Sequence, residues 1–313
     1  MKYNPLISVV MATYNGERYL EEQLESIFNQ TYQNLEVIVC DDLSSDNTQQ
    51  ILEKYASHFR LCYTINKERQ GAAQNFARAI TQATGDYIAL ADQDDVWLPT
   101  KLEISLHKLQ QLEASNGKDK PALVFSDLRV VDEKLAAISP SYWQFMQLVP
   151  TNHQLNKVLV ENVATGCTML LNKVTANLAL PIPPEALMHD VWILLTATCF
   201  GKVAYLEEPT VLYRQHSNNV IGARSKSVVQ KLKSGYIKLK QQNAGLLQPE
   251  IDQAKAFYTR YQKLVSNRPK AEETLTAFIS LKEKDFIYRK VLILKYGFYG
   301  STFRKALNVL LRA

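Results

Sequence analysis

Gly85-Asp86-Tyr87-Ile88-Ala89-Leu90-Ala91-Asp92-Gln93-Asp94-Asp95 reads as a glycine stop, five strand-forming residues and an abrupt acidic end. A short apolar run between polar stops marks a strand buried on both faces. Three such runs precede it. Residues 6–11 end at Thr13-Tyr14-Asn15-Gly16, residues 35–40 end at Asp41-Asp42, and residues 61–65 form the third. Helical periodicities lie between them. Leu20, Leu24, Ile27 and Phe28 share one face. Ile51, Leu52 and Tyr55 share the next, behind a helix-start cluster at Ser44-Ser45-Asp46, and residues 72–83 make the third helix. This alternation predicts an α/β fold, a mostly parallel sheet flanked by helices. Ligands bind such sheets at the carboxyl ends of the strands. The polar clusters at residues 13–16, 41–42 and 92–95 fall at three of those ends and converge on one edge.

The chain has 313 residues, 46% hydrophobic and 21% charged, enough for a sizeable core. No run of about 18 apolar residues predicts a membrane span. The opening Met1-Lys2-Tyr3-Asn4-Pro5 lacks a signal-peptide layout, which points to a cytoplasmic protein. Cys40, Cys62, Cys167 and Cys199 are far apart with no CxxC pair, so reduced, mostly buried thiols are expected. Neither GxGxxG nor GxxxxGK[ST] occurs, so the common glycine-loop phosphate cradles are absent. Asp92, Asp94 and Asp95 instead suggest a hard divalent cation, Mg²⁺ or Mn²⁺, which also takes phosphate oxygens.

Beyond residue 121 the pattern loosens. Residues 122–127, 167–171, 203–206 and 210–213 read as strands, and His189-Asp190 precedes an apolar helix over 191–200. After Gly222 strand signals give way to basic helical segments. Residues 224–313 carry 19 Lys and Arg against 6 Asp and Glu, a net of +13, while residues 1–223 carry a net of −8. The expected organisation is therefore a body over 1–222, with halves at about 1–120 and 121–222, and a basic helical tail over 223–313.

Three segments carry a specific resemblance. Residues 8–15 (Ser-Val-Val-Met-Ala-Thr-Tyr-Asn), 41–48 (Asp-Asp-Leu-Ser-Ser-Asp-Asn-Thr) and 85–95 resemble family 2 glycosyltransferases of the GT-A fold, over roughly residues 5–222. Ala91-Asp92-Gln93-Asp94-Asp95-Val96-Trp97, with Arg214-Gln215-His216-Ser217-Asn218-Asn219, is similar to the rhamnosyltransferase-like branch of bacterial polysaccharide assembly. The resemblance implies a nucleotide-sugar site built from Thr13, Tyr14, Asn15, Glu17, Asp41, Asp42, Asn75, Asp92 and Gln93. It implies a divalent cation, Mn²⁺ or Mg²⁺, held by Asp92, Asp94 and His216, and an acceptor side at Gly166, His189 and Trp192. Gln74 stands where the family commonly has Arg. Asp190 matches the catalytic base.

That implied chemistry is an inverting transfer from a nucleotide diphosphate sugar, dTDP-L-rhamnose favoured, to a saccharide or lipid-linked acceptor. A cation stabilises the leaving diphosphate and a separate carboxylate deprotonates the attacking hydroxyl. A UDP-hexose or UDP-N-acetylhexosamine transferase and a non-catalytic nucleotide-sugar scaffold are the alternatives. Sugar-1-phosphate nucleotidyltransferases need a glycine-rich basic first loop, which Thr13-Tyr14-Asn15-Gly16-Glu17-Arg18 does not match. No nucleic-acid reading motif occurs. The tail interleaves apolar and basic residues, a pattern expected of a segment that meets an anionic membrane surface at the inner face of the plasma membrane, caps the body or forms a homodimer contact.

Overall fold

Four strands from the first ninety-one residues pair side by side and all parallel. They are β1 (Ile7–Thr13), β2 (Leu35–Asp41), β3 (Leu61–Ile65) and β4 (Tyr87–Ala91), in the order β3-β2-β1-β4. The protein is described by a computed structural model over residues 4–216 and 247–312. Every residue of β2 and β4 is buried, which is why both read as continuous apolar runs. Each such Val, Leu or Ile withdrawn from water contributes about 1.5–3 kcal/mol. The crossovers are α1 (Leu20–Phe28), α2 (Thr48–Ala56) and α3 (Ala72–Gln82). Gly85 is required by close approach, since a Cβ there would sit 2.7 Å from Leu6 O and Ser8 N. Its N–H donates to Ser8 Oγ, and Ser8 donates to Glu36 Oε1, tying β1, β2 and the start of β4 together.

The sheet continues through β5 (Val96–Trp97), α4 (Lys101–Asn116), β6 (Ala122–Val131) and β7 (Ala137–Ser139). The short α5 (Tyr142–Met146) and α6 (Leu155–Val158) lie outside this first unit. The chain returns with β8 (Leu170–Asn172), α7 (Lys173–Ala179), α8 (His189–Phe200) and β9 (Lys202–Arg214). The full order is β3-β2-β1-β4-β8-β6-β9-β5, with β7 beside β6.

The sheet is the mixed, Rossmann-like one that the GT-A resemblance implies, parallel over its first four strands. Beyond β4 the sheet is mixed, because β8 is antiparallel to both β4 and β6, and β5 is antiparallel to β9. The physical reason is where the chain enters: Leu170 faces Ala89 and Asn172 faces Tyr87, so β8 starts at the carboxyl end of β4 and runs back. The two strands expected at 203–206 and 210–213 are one, β9, whose pairing with β6 shifts register near Asp127. The halves expected on either side of residue 120 share one sheet.

The second unit holds α5 and α6, residues 183–187 and the chain from Gln215. Its described helices after the gap are α9 (Gln248–Val265), α10 (Pro269–Ser280), α11 (Phe286–Tyr296) and α12 (Phe303–Arg312). Asp285 caps α11 by accepting from the Ile287 and Tyr288 amides, and Gly297, at φ 70°, ends it. Glu161 anchors the following turn through Ser301 N at 2.7 Å and Lys305 Nζ at 2.6 Å.

Candidate active site

The carboxyl ends of β1, β2 and β4 meet at one edge, and hydrogen bonding sorts their carboxylates into two kinds. Asp41 is fully buried. It accepts from Thr13 Oγ1 (2.7 Å), Ser44 N (2.8 Å) and Ser44 Oγ (2.6 Å), so three of its four lone-pair positions are taken. Asp42 accepts from Gln70 N, Gly71 N and Asn66 Nδ2, which hold its carboxyl below the usual range against the upward push of burial. Asn75 donates to Cys40 O and accepts from Asn66. Hydrogen bonds from the protein thus fix Asp41, Asp42 and Asn75 as the frame of this edge, with one lone-pair position of Asp41 still open.

Tyr14, Asn15 and Glu17 are exposed at the rim of that frame. Asn15 takes a left-handed φ of 47° and accepts from Ser45 N, while Glu17 accepts from Asn47 N. The Arg69 guanidinium lies 3.7 Å over the Tyr14 ring. Gln93 clamps the first loop to the acidic loop, accepting from Tyr14 N (2.9 Å) and donating to Tyr14 O (3.1 Å). Gly16 keeps this clamp possible, because a Cβ there would sit 2.5 Å from Gln93 Oε1.

The acidic loop behaves differently. Ligand atoms of Asp92, Asp95 and Cys167 all lie within 4.8 Å of one another. Burial, then the charges of Asp94 and Asp190, push Asp92 up to about 7. Burial, then the charges of Asp94 and Asp92, push Asp95 well up, and burial with the charges of Asp95 and Asp92 pushes the Cys167 thiol up too. Asp95 Oδ1 accepts from Arg214 N, but Oδ2 is buried with no hydrogen-bond partner. An orphaned carboxylate oxygen beside a second strained carboxylate is what a divalent cation would relieve, so the residues fit one. The fit rests on Asp92 and Asp95. Asp94 is half-buried beside them, and His216 is buried in the second unit. Ser217, Asn218 and Asn219 lie outside the described residues.

Two residues outside the expected site set support this loop. Arg214 is buried, and it donates through Nε to Asp94 O (2.8 Å), through one amino group to Glu133 O (2.7 Å) and through the other to Glu22. Lys101 is fully buried beneath the loop with no hydrogen-bond partner, its Nζ 4.5 Å over the Trp97 ring. Burial lowers it to about 8, against the pull of Cys167 and Asp95. For Lys101 the only sequence signal was a basic residue inside an apolar pattern, whereas Arg214 opens the quoted Arg214-Gln215-His216 run.

Asp190 stands in the first turn of α8, half-buried, and its charge reaches Asp92. Gly166 lies against it, since a Cβ at Gly166 would come 3.2 Å from both Asp190 Cβ and His189 Nε2. His189 is buried, stacked on Phe76 with ring centroids 3.7 Å apart, and burial pushes it down to about 3. Trp192 corrects the acceptor-side expectation. It is fully buried and donates to Ala179 O at 2.9 Å, so it braces α8 from the core and offers no face to a ligand. Of the four thiols, Cys62 is exposed on β3 and the other three are buried.

This fold is that of a GT-A glycosyltransferase. Two solved structures resemble the chain: TarS 1-349 of S. aureus in complex with UDP-GlcNAc (TM-score 0.56, 16% identity, 97% of this chain and 89% of that one) and the mannosyltransferase PcManGT of Pyrobaculum calidifontis in complex with GDP-Man and Mn²⁺ (TM-score 0.53, 17% identity, 99% and 87%). At that identity the likeness establishes the fold. The chain belongs to glycosyl transferase family 2, whose family model matches residues 8–170, and it is an enzyme of that class. It is 32% identical over 232 residues to the dTDP-rhamnosyl transferase RfbG of Shigella flexneri, covering 68% of this chain and 74% of that one. It is 39% identical over 132 residues to the putative glycosyltransferase EpsE of Bacillus subtilis, of which it spans about half (48%). It is 30% identical over 174 residues to the UDP-Glc:alpha-D-GlcNAc-diphosphoundecaprenol beta-1,3-glucosyltransferase WfgD of Escherichia coli, 62% of that protein.

Proposed function

We propose that this protein transfers a sugar, L-rhamnose from dTDP-rhamnose, to a lipid-linked saccharide acceptor with inversion at the anomeric carbon. It does so in the cytoplasm, at the inner face of the plasma membrane. The observation that carries the reading is the pairing of two carboxylate sets with different tasks: the under-satisfied Asp92 and Asp95 on one side, and Asp190 beside Gly166 on the other. A bound Mn²⁺ or Mg²⁺ would supply charge stabilisation to the departing diphosphate. Asp92 and Asp95, with Asp94 beside them, would hold it, while Arg214 and Gln93 keep their loop in place. Asp190 takes the proton from the attacking acceptor hydroxyl, and the glycosidic bond forms as the bond to the diphosphate oxygen breaks. Gly166, lacking a side chain, leaves Asp190 accessible from the acceptor side. Tyr14 and Arg69 offer the base a ring and a cation at the rim.

The rhamnosyl assignment is supported by the likeness to RfbG. The likeness to WfgD favours a second reading, a UDP-hexose donor at the same site. Thermal shift with dTDP, UDP, GDP and CDP, each with Mn²⁺, Mg²⁺ or EDTA, separates them. A metal-dependent shift with dTDP alone is expected, about 2.7 kcal/mol at 100 times the dissociation constant. A shift with UDP alone replaces rhamnose with a UDP sugar, and no shift with any nucleotide removes the donor site.

A further inference from the structure

Two helices of the second unit turn apolar side chains to solvent. α11 turns Leu292 and Ile293 inward, both buried, yet Ile287, Val291 and Leu294 stand in solvent at 74%, 51% and 59% exposure. α12 shows Phe303, Leu307 and Leu311, spaced four residues apart, at 84%, 41% and 67%. Each set forms a stripe along its helix. A helix on a water-facing surface carries polar residues opposite its core face; α11 carries apolar ones there, and α12 leaves its apolar stripe in solvent. Half of the sixteen exposed large apolar side chains among the described residues fall between positions 286 and 311.

The charges say what covers the stripes. Residues 286–312 contain six Lys and Arg and no Asp or Glu. The structure removes two of those cations from the surface count, because Arg289 donates to Leu281 O and Lys284 O, and Lys305 pairs with Glu161. Arg304 remains exposed beside the stripes, as does Lys295 with Glu273 4.0 Å away. A second copy of the same face would set cation against cation in a symmetric contact. An anionic lipid surface meets both features, taking the apolar stripes at the acyl boundary and the cations at the headgroups. No described helix is long and apolar enough to cross a membrane.

We propose that the outward stripes of α11 and α12 seat this protein on an anionic lipid surface, with Ile287, Val291, Leu294, Phe303, Leu307 and Leu311 entering the lipid. This deepens the peripheral location proposed above and stands apart from the choice of donor. The test is co-sedimentation of the full chain with vesicles of phosphatidylglycerol and phosphatidylcholine, and with phosphatidylcholine alone. The wild-type chain is expected to bind the anionic vesicles at least tenfold better than the neutral ones. The variant Phe303→Glu, Leu307→Glu, Leu311→Glu is expected to lose at least tenfold, and Arg304→Glu several-fold, with nucleotide-dependent thermal shifts equal to wild type. Wild-type protein left in the supernatant, or a triple variant that binds like wild type, overturns the proposal. So does a concentration-dependent dimer that the triple variant dissolves in the absence of vesicle binding, since that assigns the face to a second copy.

Discussion

His189 is a neutral imidazole wedged between Phe76 and Gly166, and its place in the fold makes stability respond to pH. Its folded value is about 3, against an unfolded value near 6.5. Between these the unfolded chain holds more protons than the folded one, so this group's contribution falls as pH drops below about 6.5. The slope approaches about 1.4 kcal/mol per pH unit. His189→Leu is expected to lose that portion of acid sensitivity, so that its stability relative to wild type improves between pH 7.5 and pH 4.5 in urea titrations. An unchanged difference at the two pH values would contradict the assignment. At the neighbouring position, Asp190→Asn is expected to lower turnover by about 10²–10⁴-fold while the nucleotide-induced thermal shift persists. Loss of both together would mean that Asp190 organises the donor site. At this scale the sequence could say which carboxylates reach the edge, but not their tasks. Asp41 and Asp92 each follow a buried strand and look alike on paper. They part company only through their partners, three donors on Asp41 against like charges around Asp92.

The elements were legible where their signals were local. The parallel strands β1 to β4 and the helices between them follow from apolar runs and periodicity, because burial on both faces or one face imposes those patterns directly. Strand direction was not legible beyond β4. An extended run has the same composition whichever way it pairs, and β8 is oriented by the path that brings Gly166 beside Asp190. The joint between α8 and β9 shows how tightly such paths are fixed. Gly201 sits against Pro121, where a Cβ would come 1.8 Å from the Pro121 carbonyl oxygen. Lys202 N also donates to that oxygen at 3.0 Å. Gly201→Ala is therefore expected to push β9 away from the start of β6. The cost is about 1–3 kcal/mol, read as a lower urea midpoint, with a normal midpoint refuting the close approach.

For the whole molecule, the acidic loop has anchors of very different separation along the chain. On one side it continues from β4, whose parallel partner β1 lies within the first ninety-one residues. On the other, Val96 and Trp97 pair with Leu212 and Val211, and Asp95 receives the Arg214 amide from 119 residues away. Closing so long a loop is slow compared with forming the local strand–helix units. A 1–120 fragment is expected to give helical and strand circular dichroism but no Mn²⁺-dependent thermal shift with any nucleoside diphosphate. Such a shift would show that the loop needs no distant latch. Chains are synthesised from the amino terminus at about 5–20 residues per second and begin folding as they emerge. A ribosome-bound chain of this protein would thus display the edge formed by β1, β2 and β4 for several seconds before Arg214 arrives to fasten the acidic loop, and transfer chemistry would wait until nearly all of the first unit has been translated.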